Sequence, residues 1–183
     1  MRAMMIRIGM LEAIHRWDVT TFHRIVSSRT PGTLVAAARF ISRGADGWVY
    51  PLVPFIVWLL GYAQAARFSC VLVSAFFIER CVYVVAKRSF KRRRPSNVVP
   101  GYQSHVVASD EFSFPSGHTS AAFLVVSTLV LFYGPAFAAF YVWASAVGAS
   151  RVILGVHFPT DIAVGSLMGS GIALTTCVLF ATS

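Results

Sequence analysis

The chain has 183 residues, a length suited to one domain, and is 56% hydrophobic and 14% aromatic with only 13% charged residues. That balance sets aside an ordinary soluble domain. The formal charge of +9 suits nucleic acid, an acidic membrane surface or anionic ligands, and the long apolar segments decide for the membrane and against nucleic acid.

In residues 1–30, Leu11, Ile14, Trp17 or Asp18, Phe22 and Ile25 recur at helical spacing, with Glu12, Arg16, His23 and Arg24 between them. This predicts an amphipathic helix, either lying in the membrane interface or packed on the rest of the protein. His15 and His23 read as surface histidines, not ligands. Arg7, Glu12 and Arg16 interrupt the apolar run, so no cleavable signal peptide is expected. Thr30-Pro31-Gly32 breaks the chain. A second short helix follows over 33–44, where Arg39 and Arg43 argue against a full crossing.

About five segments are apolar enough to cross a bilayer: 48–66, 68–86, 119–133, 136–150 and 162–181. The expected architecture is therefore an all-α integral membrane helical bundle in a single domain, 1–183, with interfacial helices over 1–46 and the bundle over 48–183. Gly165-x3-Gly169 and Ser166-x3-Ser170 permit close helix approach in the last crossing, with a homodimer face as the alternative. Cys70, Cys81 and Cys177 show no metal or redox spacing and read as small buried hydrophobes. Glu79 and Arg80 fall inside the second crossing, where ionisable groups face protein or a wet cavity.

Three clusters carry chemistry: Lys87-x6-Arg94-Pro95, Pro115-Ser116-Gly117-His118, and Ser150-Arg151-x5-His157-x3-Asp161. Lys87, Arg94 and Arg151 are cations for phosphate oxygens, Arg94 offering a planar fork and Lys87 a compact charge. Ser116 suits a helix cap, and Gly117 admits an anion close to the backbone at a helix start. His118, His157 and Asp161 complete a nucleophile, a proton donor and an orienting carboxylate. Two histidines and an aspartate could hold zinc by count, but three adjacent cations would repel it, so no metal and no cofactor is expected. With five crossings, all three clusters fall on one membrane face. Arg88, Lys91, Arg92 and Arg93 read as a positive stretch meeting anionic headgroups. The polar stretch 96–114, with His105, Asp110 and Glu111, is a lid, a headgroup-recognition loop or a connector. Arg80, two turns before Lys87, is either a neighbour of the phosphate site or half of a structural ion pair.

In this order the clusters resemble the signature of the type-2 phosphatidic-acid phosphatase family, whose soluble relatives include vanadate haloperoxidases. The resemblance covers Lys87 to Asp161 and implies a metal-independent membrane phosphatase acting on a lipid phosphate. It implies phosphate binding by Lys87, Arg94, Ser116, Gly117 and Arg151, with His157 as the nucleophile that forms a phosphohistidine. His118 would be the general acid, and Asp161 would set the tautomer of His157. Polyprenyl pyrophosphate is the expected substrate, with phosphatidylglycerophosphate, phosphatidic acid or lipid A phosphate as alternatives. A non-catalytic protein that binds anionic lipids is the reading from another class. The resemblance places the protein in a bacterial cytoplasmic membrane with the site facing outward. Arg2, Arg7, Arg16, Arg24 and Arg29 point the other way by the positive-inside rule.

Overall fold

Helices, joined by turns and loops, build the described residues, 2–26 and 30–181, of this computed structural model. In chain order they are α1 (Arg2–Ile25), α2 (Gly32–Arg43), α3 (Leu52–Leu59), α4 (Ala65–Phe90), α5 (Pro95–Val98) and α6 (Gly117–Tyr133). A 3-10 helix (Pro135–Phe140) then leads into α7 (Tyr141–Ile153) and α8 (Pro159–Ala181). Arg29 and the side chains of Arg2 and Arg7, used in the orientation argument, lie outside the described residues.

α6 explains the layout. Its sequence GHTSAAFLVVSTLVLFY is apolar on every side, and a helix without a polar face belongs at the centre of a bundle. It packs against α8, α4 and α7. α8 comes closest because of its glycines: a Cβ at Gly169 would stand 2.1 Å from the Ser120 carbonyl oxygen, and one at Gly165 2.7 Å from that of Ser116. Gly165 and Gly169 thus serve packing within the chain. Cys70 and Cys81 lie exposed on the outer side of α4, not buried as expected, alongside outward-facing Val73, Phe77 and Val85. In a membrane protein such a surface meets lipid and needs no protein cover.

Three stretches, Ala65–Val98, Pro135–Ile153 and Pro159–Ala181, are long and apolar enough to cross a membrane, and α6 is a shorter apolar helix. The first expected crossing, 48–66, forms no such helix. Before α4 begins at Ala65, only the eight residues of α3 are α-helical, about 12 Å of rise, because Pro51 precedes them and Gly61 turns the chain at φ +70°. The segment nevertheless runs the length of α6. Asp46 Oδ1 lies 3.0 Å from His118 Nε2 in the first turn of α6, whereas the Tyr62 ring is 4.9 Å from that of Tyr133 at its last residue. The expected first crossing is thus a run of turns around a short helix, lying alongside α6.

The N-terminal helix docks on the protein by only part of its periodic set, Phe22 and the Asp18 alternative. Leu11, Ile14, Trp17 and Ile25 stay exposed, and Asp18, Phe22 and Val26 form the buried seam. Phe22 packs edge-on against Phe158 and Tyr102, with ring centroids 5.7 and 5.1 Å away. α2 turns Val35, Ala38 and Ser42 inward and packs on α7.

Candidate active site

The end of α4, the start of α6, the end of α7 and the start of α8 meet at one end of the bundle, which is where the three sequence clusters lie. Gly155 shapes the loop that carries His157. It has φ +76°, and a Cβ there would stand 1.9 Å from the Tyr102 hydroxyl, so only glycine fits. The loop then folds back so that the Arg151 carbonyl accepts the backbone N–H of His157 at 3.3 Å. Pro159 starts α8, where its missing N–H does no harm. Asp161 falls in the first turn and accepts the Phe158 N–H at 2.8 Å.

His157 is 3% exposed. Its Nδ1 stands 3.7 Å from Asp161 Oδ2 and makes no hydrogen bond. The two groups are neighbours at ion-pair distance. Burial pushes the imidazole down to about 4, against the pull of the Asp161 carboxylate, so the ring is neutral near pH 7. The other oxygen of Asp161 is held from outside: Arg92 Nη1 donates to Oδ1 at 2.7 Å, and Arg92 Nη2 donates to Asp18 Oδ2 at 2.5 Å. Arg92 also stacks over the Phe158 ring at 4.5 Å. Asp18, fully buried, accepts the Thr160 N–H at 3.0 Å and the Thr160 hydroxyl. Arg92 is therefore not a headgroup cation. A chain of alternating charge, Asp18–Arg92–Asp161, runs from α1 to the candidate nucleophile.

Lys87 and Arg94 converge, and Asp110 lies between them. Asp110 Oδ1 accepts Lys87 Nζ at 2.7 Å and Arg94 Nη2 at 2.5 Å, and Oδ2 accepts the Tyr83 hydroxyl at 2.6 Å. Lys87 also donates to the Phe112 carbonyl, and Arg94 Nη1 to that of Val156 at 2.6 Å. Burial pushes the Asp110 carboxyl up, but hydrogen bonds from Lys87 and Tyr83 and the charges of Lys87 and Arg94 outweigh it and hold it at about 2. The 96–114 stretch thus reaches into the cation cluster. Arg151 is anchored through Nη1 on Ser42 Oγ at 2.6 Å, and its Nε is buried without a partner.

His118 opens α6, with Nε2 3.0 Å from Asp46 Oδ1. Ser116 occupies the cap position, but its hydroxyl makes no capping bond and instead accepts from Thr119 Oγ1 at 3.0 Å. Its backbone N–H donates to the Asp161 carbonyl at 3.1 Å, tying the starts of α6 and α8 together. At Gly117 a Cβ would stand 2.9 Å from the Tyr83 ring. The bare backbone therefore seats an aromatic ring, a use not expected from sequence.

Beside His118 opens a cavity of about 480 Å³. Arg80, Tyr83 and Ser109 line its polar end, and Leu72, Val73, Phe76 and Pro54 continue it as an apolar groove. Arg80 has no carboxylate within 4.0 Å among the described residues, so the ion-pair alternative is not realised; its guanidinium stacks over Tyr83 at 4.8 Å. Glu79, one residue earlier, is buried and does not line the cavity. Among the described residues no three His, Cys, Asp or Glu side chains gather as a metal site.

All eight expected site residues thus reach one end of the bundle. Sequence reasoning missed Asp18, Ser42, Asp46, Tyr83 and Asp110, and misread Arg92. An aspartate inside the α1 apolar seam was the one signal available.

The PAP2 superfamily model matches residues 68–183. Decaprenylphosphoryl-5-phosphoribose phosphatase of Mycobacterium tuberculosis is 28% identical over 166 residues, covering 88% of this chain and 89% of its own. Undecaprenyl-diphosphatase of Sulfolobus acidocaldarius is 29% identical over 169 residues, covering 87% and 77%. The crystal structure of a transmembrane PAP2 type phosphatidylglycerolphosphate phosphatase from Bacillus subtilis superposes with a TM-score of 0.74 at 26% identity, covering 93% of this chain and 87% of that one.

Proposed function

This chain belongs to the PAP2 superfamily and is a membrane phosphatase of lipid phosphates, and we propose that it works without a metal, through a phosphohistidine on His157. The observation that carries this reading is the meeting of Lys87, Arg94, Arg151, His118 and His157 at one end of the bundle, where His118 lines a groove that continues over apolar side chains. Neutral His157 attacks phosphorus through Nε2. The bond from phosphorus to the lipid oxygen breaks, and His118 delivers the proton that oxygen needs. Lys87, Arg94 and Arg151 stabilise charge on the equatorial oxygens. Water then attacks the phosphohistidine, giving its proton to His118 and releasing inorganic phosphate. Asp161, fixed by Arg92, stabilises the imidazolium character that develops on His157.

For the substrate we propose a polyprenyl-linked phosphate, with polyprenyl pyrophosphate as the lead. Both curated relatives described above are named for polyprenyl lipids. The cellular site, the outer face of a bacterial cytoplasmic membrane, rests on the family resemblance.

The test is phosphate release by purified protein in detergent with EDTA present, on polyprenyl pyrophosphate and phosphatidylglycerophosphate, with His157→Ala as control. EDTA-resistant release and an acid-labile phosphoprotein, both lost in His157→Ala, are expected. Release that EDTA abolishes, or that survives in His157→Ala, would overturn the mechanism.

A further inference from the structure

An arginine inside a membrane crossing needs a partner, and ionisable residues there face protein or a water-filled path. Arg80 lies seven residues before Lys87, about 10.5 Å along α4, and is exposed to the cavity. No acidic side chain lines that cavity, whose other ionisable members are His118, Tyr50 and Tyr83. The Tyr83 ring fixes the spacing. Arg80 Cζ is 4.8 Å and Lys87 Nζ 5.1 Å from its centroid. The two charges are therefore no more than the sum of these distances, 9.9 Å, apart. Tyr83 is itself held by the bare backbone of Gly117 and by its hydrogen bond to Asp110.

We infer that Arg80 binds a second, uncleaved phosphate of the lipid headgroup, on the cavity wall between the scissile phosphate and the tail. This rests on the reading of the site as a lipid phosphatase. A three-carbon bridge sets two phosphorus atoms roughly 6–7 Å apart at bond lengths near 1.5 Å, and a direct diphosphate sets them closer. Both fit within the limit set by Tyr83. A guanidinium presents two parallel donors to a phosphate's oxygens, and the apolar groove past Phe76 and Val73 takes the chain that follows.

The experiment compares wild type, Arg80→Gln and Arg80→Lys on three lipids. Phosphatidic acid has one phosphate, polyprenyl pyrophosphate has two adjacent, and phosphatidylglycerophosphate has two across a three-carbon bridge. The ratio of kcat/KM for a two-phosphate lipid to that for phosphatidic acid is expected to fall 10- to 100-fold in Arg80→Gln and to recover in part in Arg80→Lys. The lipid whose ratio falls more tells which phosphate spacing the site reads. An unchanged ratio for both two-phosphate lipids overturns the inference. A binding arm separates this outcome from failure of the enzymatic reading. In the His157→Ala background, phosphatidylglycerol, which carries only the second phosphate, should raise the melting temperature, and adding Arg80→Gln should abolish the rise. Equal stabilisation with and without Arg80 overturns the inference whether or not any lipid is hydrolysed.

Discussion

The basic run from Lys87 to Arg94 offers a test in which near-identical side chains should behave in opposite ways. Arg88, Lys91 and Arg93 are exposed. Arg92 is only 20% exposed in its side chain and bonds two carboxylates that are both at 0%. Replacing it by methionine keeps an unbranched apolar side chain and removes the guanidinium, with its bonds to Asp18, Asp161 and Thr160 and its stacking on Phe158. Asp161 would keep the Phe158 N–H, and Asp18 would keep Thr160, but each would lose the arginine it pairs with among the described residues. Breaking a buried pair by removing one partner costs about 3–5 kcal/mol. At roughly 2–4 °C per kcal/mol for a domain of this size, Arg92→Met should melt about 10 °C lower in detergent. The orienting of Asp161 is lost as well, so kcat should fall on the order of 10–100-fold, the range found for outer partners that orient ligating histidines. Arg93→Met should leave both quantities close to wild type, within a surface substitution's ±0.5 kcal/mol or so. Asp18→Asn made in the Arg92→Met background should cost less than it does alone, because the pair is already broken. If Arg92→Met and Arg93→Met melt together and turn over alike, the Asp18–Arg92–Asp161 chain does not hold the site.

Three other outcomes are expected. Asp110→Asn removes the carboxylate shared by Lys87, Arg94 and Tyr83, so inorganic phosphate should inhibit it several-fold more tightly than wild type; weaker inhibition would show that Asp110 builds the cation site and does not compete for it. Gly169→Ala places a methyl 2.1 Å from a backbone carbonyl and should destabilise by about 3 kcal/mol or more, read as a melting shift, whereas Gly171→Ala, with nothing within 4 Å, should be neutral or mildly stabilising. Because burial lowers the His157 value to about 4, its imidazole nitrogens should stay neutral by NMR well below pH 6.5 in the substrate-free protein. The stability this depressed value contributes is fully present above the unfolded value near 6.5 and is lost as pH falls toward 4. A ring titrating near 6.5 would contradict the buried, neutral nucleophile.

The helices and the eight cluster residues were legible because each depends on local pattern: apolar length for the crossings, and fixed spacing around Pro95, Gly117 and Pro159 for the ends that meet. The segment 48–66 was half legible. Its composition announced a crossing, but Pro51 and Gly61 turn it into short pieces whose length composition does not reveal. The supporting residues were hidden for another reason. Asp18, Ser42 and Asp46 touch Arg92, Arg151 and His118 across 74, 109 and 72 positions of chain, and no spacing rule reaches that far. Arg92 was misread because its neighbours in sequence are solvated, while its neighbours in space are carboxylates. Gly117 was read for an anion and serves first to seat Tyr83, a contact between two helices that neither sequence segment announces.

Asp18, Ser42 and Asp46 share one more property: all three precede residue 68, where the match to the family model begins. The candidate reacting groups sit on the matched bundle, and these three of the groups that brace them come from the segment before it. Such a division separates what the chemistry requires from what can vary. Exchanging the first 46 residues between relatives would leave nucleophile, acid and cations in place while changing the field around each. A lineage could retune pH response or headgroup preference by drift in a peripheral helix, without passing through a form that lacks a catalytic residue.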